Sequence, residues 1–97
     1  MKYLKVTWKH AQIDLPIEIW SELDVKRMET RKIEAFRDGT LGYASATDSR
    51  KQTRLGIEPL PTDAEISAQP EFSVHPLSAS DFDRMWTVAV QKGRIKP

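Results

Sequence analysis

The chain has 97 residues, 39% hydrophobic and 30% charged, with fifteen Lys and Arg against fourteen Asp and Glu for a net charge of +1. That length fits one domain, residues 1–97, built on a single core, and charged and apolar residues are too well mixed for general disorder. The charge balance argues against sequence-independent nucleic-acid binding, and the absence of Cys excludes disulfides, thiolate catalysis and cysteine-based zinc sites.

Tyr3 to Lys9 alternates, with Leu4, Val6 and Trp8 on one side and Tyr3, Lys5 and Thr7 on the other, which is the period of a half-buried strand. A connection from His10 to Pro16 leads to a second strand, Ile17 to Leu23. Its inward set is Ile17, Ile19 and Leu23 with Ser21 between them; Glu18, Trp20 and Glu22 point the other way. Asp24 to Arg27 is polar enough for a loop. Strand three then runs from about Glu29 to Phe36, and strand four from Thr40 to Ser45.

Asp38-Gly39 supplies the turn between them, since Gly takes the positive φ that tight hairpins need. A two-residue turn would put the apolar residues of Arg31 to Ser45 on both faces. A three-residue loop, Arg37-Asp38-Gly39, with Gly39 in a bulge, sets Ile33 opposite Tyr43 and Ala35 opposite Leu41 and makes one face continuously apolar. This second register is expected.

Ala46 to Arg54 has no large apolar residue and carries Arg50, Lys51 and Arg54, so it reads as a surface loop. Leu55 to Pro61 reads as an extended crossing segment anchored by Leu55, Ile57 and Leu60. Thr62-Asp63-Ala64-Glu65 is a capping box that starts a short helix, stopped by Pro70. Phe72 to Leu77 is extended and fits a fifth, edge strand, the only place its Pro76 allows. A weaker box at Ser78 and Asp81 opens a second helix. Phe82, Met85, Trp86 and Ala89 form its apolar stripe, and Gly93 is placed to end it.

The expected architecture is therefore α+β: a four-stranded antiparallel meander, with a fifth edge strand available, packed against a C-terminal helix and accompanied by a second short helix. The helix stripe should lie on Ile33, Ala35, Leu41 and Tyr43, with Leu4, Val6, Ile17 and Ile19 on the same face. The other face would then show Tyr3, Lys5, Glu18, Trp20, Glu22, Lys32, Glu34 and Phe36. Aromatics among charges suit a protein-binding surface, so Tyr3, Glu18, Trp20, Glu22, Lys32 and Phe36 are the candidate binding residues. The alternative is that Ala46 to Pro61 and the short helix fold over that face and bury Trp20 and Phe36.

No Gly-x-Gly-x-x-Gly, no phosphate-binding Gly-Lys-Ser/Thr loop and no His-Glu-x-x-His is present, so no nucleotide cofactor is expected. The two histidines, His10 and His75, fall in separate segments, and no metal site is expected either. A metal-independent ribonuclease remains as the enzymatic alternative, with His10, His75, Glu34 and Arg54 as base, acid and phosphate-binding cation, although no spacing requires them to converge. No basic-then-apolar leader opens the chain, and its longest apolar run, Val88 to Val90, is far too short for a membrane span. A cytoplasmic location is expected.

Several stretches resemble a family of short bacterial proteins classed as a domain of unknown function. They are Tyr-Leu-Lys-Val at 3–6, Pro-Ile-Glu-Ile-Trp-Ser-Glu-Leu at 16–23, Arg-Lys-Ile-Glu-Ala-Phe-Arg-Asp-Gly at 31–39, Gly-Tyr-Ala at 42–44, Thr-Arg-Leu-Gly-Ile-Glu-Pro-Leu-Pro at 53–61, and Phe82 with Trp86. Families of this kind often sit beside secreted bacterial toxins, so the resemblance implies an immunity-type role with a toxin domain as protein partner. In the resembling proteins the loop before Thr53 is glycine-rich, whereas here Ser49-Arg50-Lys51-Gln52 is charged.

Overall fold

In chain order the elements are β1 (Lys2–Trp8), β2 (Glu18–Leu23), β3 (Glu29–Ala35), β4 (Leu41–Ser45), β5 (Ser49–Arg50), α1 (Asp63–Ser67), β6 (Phe72–Leu77) and α2 (Ala79–Arg94). This is a computed structural model, and it describes residues 1–94. All six strands join one antiparallel sheet in the order β5-β4-β3-β2-β1-β6. The meander expected from the sequence is its centre. β6 lies at one edge, where Pro76 removes no needed ladder donor.

The β3–β4 hairpin takes the three-residue loop. Ile33 pairs with Tyr43 and Ala35 with Leu41, and Gly39 sits at φ +88°, donating its N–H to the Phe36 carbonyl at 3.0 Å. Asp38 braces the turn by accepting from the Thr40 amide and hydroxyl at 3.0 and 2.7 Å. α1 has the expected capping box, with the Glu65 amide donating to the Thr62 hydroxyl and the Thr62 amide to the Glu65 carboxylate.

The sequence reading goes wrong in the phase between β2 and β3. Trp20 pairs with Ile33, Glu22 with Arg31 and Ile19 with Glu34, so the inward residues of β1–β2 and those of β3–β4 lie on opposite faces. A one-residue change of phase moves a strand's whole side-chain set to the other face. Here the chosen phase sets Glu22 directly across from Arg31, an attractive cross-strand pair. A bulge between Glu22 and Leu23 then absorbs Thr30, whose hydroxyl donates to the Glu22 carbonyl at 3.1 Å.

Two cores result, one on each face. Under α2 lie Ile33, Tyr43, Phe82 and Ala89, with Tyr3, Trp20, Leu41, Leu77, Met85 and Trp86 packed around them. On the other face Leu4, Val6, Leu23 and Ile66 of α1 are joined by Leu60, Phe72 and Val74. Neither helix covers its face completely, and this incomplete cover leaves a concavity beside each of them.

Three local expectations are also corrected. The segment 46–54 is not merely a loop, because Ser49–Arg50 pairs with β4 and Thr53 is buried. Its return turn holds Lys51 and Gln52 at φ +60° and +59°. Ile57 does not anchor the crossing segment and is 88% exposed. Arg27 holds that segment instead: its guanidinium donates to the carbonyls of Leu60 and Pro61 at 3.0 and 2.6 Å and to Asp63 at 3.0 Å. Finally, α2 does not end at Gly93 but continues to Arg94, the last of the described residues.

Candidate functional site: the groove beside α2

α2 starts beneath β6 and crosses the sheet diagonally. Phe82 meets Tyr3 with tilted rings at 5.4 Å, Trp86 meets Tyr43 edge-on at 5.3 Å, and the Lys92 ammonium reaches the Gly39 carbonyl at 3.4 Å. A diagonal helix cannot cover a wide sheet. The region of β6, β1 and β2 around Trp20 is left beside it as a groove of about 300 Å³, lined by Trp20, Leu77, Asp81, Arg84, Met85 and Val88. Val88 is 40% exposed and Trp20 is half-buried, so an apolar floor faces outward.

Trp20 is fixed within the groove. Its indole N–H donates to Glu18 at 3.1 Å, and the Lys5 ammonium lies 5.4 Å from the ring centroid. Asp81 and Arg84 line the groove on the helix side, and Lys5 and Glu18 touch the Trp20 ring on the sheet side. An immobilised aromatic on an open apolar floor, ringed by both signs of charge, has the anatomy of a binding hot spot.

Of the six residues expected to form one binding face, only Trp20 lines this groove, with Glu18 bonded to its indole. Tyr3 and Glu22 are on the same sheet face but lie inside a closed cluster under the start of α2. There Arg31 grips the Glu22 carboxylate in two bonds, at 2.9 and 2.6 Å, donates to Asp83 at 2.8 Å, and lies over the rings of Phe82 and Trp86 at 4.9 and 5.2 Å. The Arg31 bonds hold the Glu22 carboxyl far below its usual range, at about 2. Burial, and then its bond with Glu22, push the Tyr3 phenol up. Lys32 is on the opposite face beside Glu29, and Phe36 lies just past β3 beneath the Lys51 ammonium. The expected single open face is therefore divided, because α2 covers the half that holds Tyr3 and Glu22.

The four residues of the ribonuclease reading do not meet. His75 is on β6 opposite Lys5, on the α2 face, whereas Glu34 is on β3 on the other face and accepts from the Thr53 hydroxyl at 2.7 Å. β1 and β2 separate them, which places them roughly 14 Å apart across the sheet. His10 is engaged locally, with Nε2 against the Pro16 carbonyl at 2.7 Å and Nδ1 accepting from the Gln12 amide at 3.1 Å.

The sequence reading missed Leu77, Met85 and Val88, which border the groove from β6 and α2. Val88 lies off the Phe82-Met85-Trp86-Ala89 stripe, and a large apolar residue off the stripe was the available signal. Among the described residues no helix is long and apolar enough to cross a membrane. The family model for a domain of unknown function, DUF6881, matches residues 2–91, and the chain belongs to that family. No curated protein and no solved structure matches it.

Proposed function

We propose that this chain is a non-enzymatic protein-binding domain, most concretely an immunity-type inhibitor of a bacterial toxin acting in the cytoplasm, and that it docks its partner in the Trp20 groove. The observation that carries the reading is the half-exposed indole of Trp20, fixed by Glu18 and Lys5, beside the open side chain of Val88. The partner it fits is a protein surface that inserts one large apolar side chain between Trp20 and Val88. Around that anchor it presents a cation toward Glu18 and Asp81 and an anion toward Lys5 and Arg84.

The toxin assignment is tested by the neighbouring reading frame. Where it encodes a large secreted protein, its C-terminal domain is produced separately, mixed with this protein and run on size exclusion. A stable complex, together with survival of cells that co-express the two, is expected. Separate elution with no protection, or an unrelated enzyme operon next door, contradicts the inhibitor reading.

A further inference from the structure

The face away from α2 has a cleft of about 330 Å³ between α1 with the crossing segment on one side and β3 on the other. Most of its lining is apolar, with Val6 and Ile19 as floor and Leu60 and Phe72 as wall. At one end, however, stand Ser21, Glu29 and Lys32. The Glu29 side chain is only 3% exposed, and a buried carboxylate is costly unless it is paired and hydrogen-bonded.

Glu29 has partners from three segments. The Gly56 amide donates at 2.6 Å and the Ser21 hydroxyl at 3.2 Å, and the Lys32 ammonium forms an ion pair with the carboxylate at 3.5 Å. Among the described residues, Lys32 makes one other contact of this kind, donating to the Arg54 carbonyl at 3.3 Å. Both of its distances exceed the roughly 2.7–2.9 Å of a close charge-assisted bond. The pair is loose, and the ammonium keeps donor capacity on the cleft side. Apolar side chains of similar volume in place of a buried ion pair are often neutral or stabilising, so stability alone does not account for charges at the end of an apolar cleft.

We infer that this cleft binds a free α-amino acid with an apolar side chain, its ammonium at Glu29, its carboxylate at Lys32 and its side chain on Val6, Ile19 and Phe72. The charge pair selects a zwitterion. A simple carboxylate would meet Lys32 but face Glu29, and a simple amine would meet Glu29 but face Lys32. The volume sits at the small end for ligand pockets, enough for a residue of the size of Leu or Phe. This inference concerns the opposite face from the Trp20 groove and does not rest on the proposed function.

The test is calorimetric titration and thermal melting of the purified protein with L-phenylalanine and L-leucine, beside phenethylamine and 3-phenylpropionate, which each lack one charge. Saturable binding of the amino acids is expected, with a Tm rise of about 7 °C at ten times Kd. Each singly charged analogue should bind at least about tenfold more weakly, one lost ionic contact. Glu29→Gln should lose at least as much. Ile19→Trp, which fills the cleft from its floor, should abolish binding even if Glu29→Gln fails to fold. Absence of saturable amino-acid binding, equal affinity for the singly charged analogues, or unchanged binding by Ile19→Trp would each overturn the inference.

Discussion

Trp20 stands directly across from Ile33 in the β2–β3 pairing, and this one pairing sorts the apolar residues into two cores. Ile33 belongs to the cluster under α2 and Leu4 to the cluster under α1, two strands away and on the other face. Each is fully buried, so Ile33→Ala and Leu4→Ala should each cost about 2–5 kcal/mol. Because the sites share no core neighbour, the double variant should show the sum to within about 0.5 kcal/mol. Urea denaturation of the four proteins measures this, and a coupling above about 1 kcal/mol would mean a single continuous core.

Two glycines carry the backbone geometry of the β3–β4–β5 unit. Gly39 needs its positive φ, so Gly39→Val should cost about 1–2 kcal/mol or more. Gly42 has ordinary φ but no room: a Cβ there would collide with the Thr53 hydroxyl and press on the Arg50 carbonyl. Gly42→Ala should cost about 1–3 kcal/mol through overpacking. Melting temperatures equal to that of the unmutated protein would refute the turn geometry for Gly39 and the close approach of residues 50–53 for Gly42.

Most of the fold was legible because its signals are local. The Asp38-Gly39 turn, the Thr62/Glu65 capping box and the α2 stripe each follow from residues within a few positions of one another. The relative phase of β2 and β3 was not legible. It depends on the Glu22–Arg31 pair and the Thr30 bulge, and alternation within a strand says which residues share a face but not which face of the sheet that is. That one error moved Trp20 from an open face to the edge of a covered one. Of the site, Trp20 and Glu18 were readable as an aromatic beside a carboxylate. Val88 was signalled only as an apolar residue off the helix stripe, and neither its place nor that of Met85 in the groove could be read, because both depend on the angle at which α2 crosses the sheet.

The Glu22–Arg31 pair makes stability fall in acid. Glu22 titrates at about 2 in the folded protein, below an ordinary glutamate near 4.5. Its contribution is fully present above the unfolded value and disappears as pH falls from about 4.5 toward 2. It amounts to at most about 3 kcal/mol. Urea midpoints measured from pH 6 to pH 2 should drop more steeply through that window for the unmutated protein than for Glu22→Gln. Parallel curves would show that the pair does not shift the carboxyl.

An RNA-cleaving activity is not expected, because His75 on β6 and Glu34 on β3 lie on opposite faces with two strands between them, and His10 is engaged locally. Incubating the purified protein with mixed-sequence RNA should leave the RNA intact. Reproducible cleavage that disappears in His10→Ala or His75→Ala would show that the two histidines act together after all.

On the proposed function, Trp20 serves binding more than folding, since α2 leaves one side of it open to the groove. Calorimetric titration of Trp20→Ala and Val88→Glu against the partner domain tests this most directly, with the urea midpoint of each variant measured in parallel. The expected result is a loss of roughly thirtyfold or more in affinity for each, about 2 kcal/mol, from variants that remain folded. Unchanged affinity in both variants would contradict it, as would a loss of about 3–5 kcal/mol of folding stability in Trp20→Ala, the cost expected of a core tryptophan.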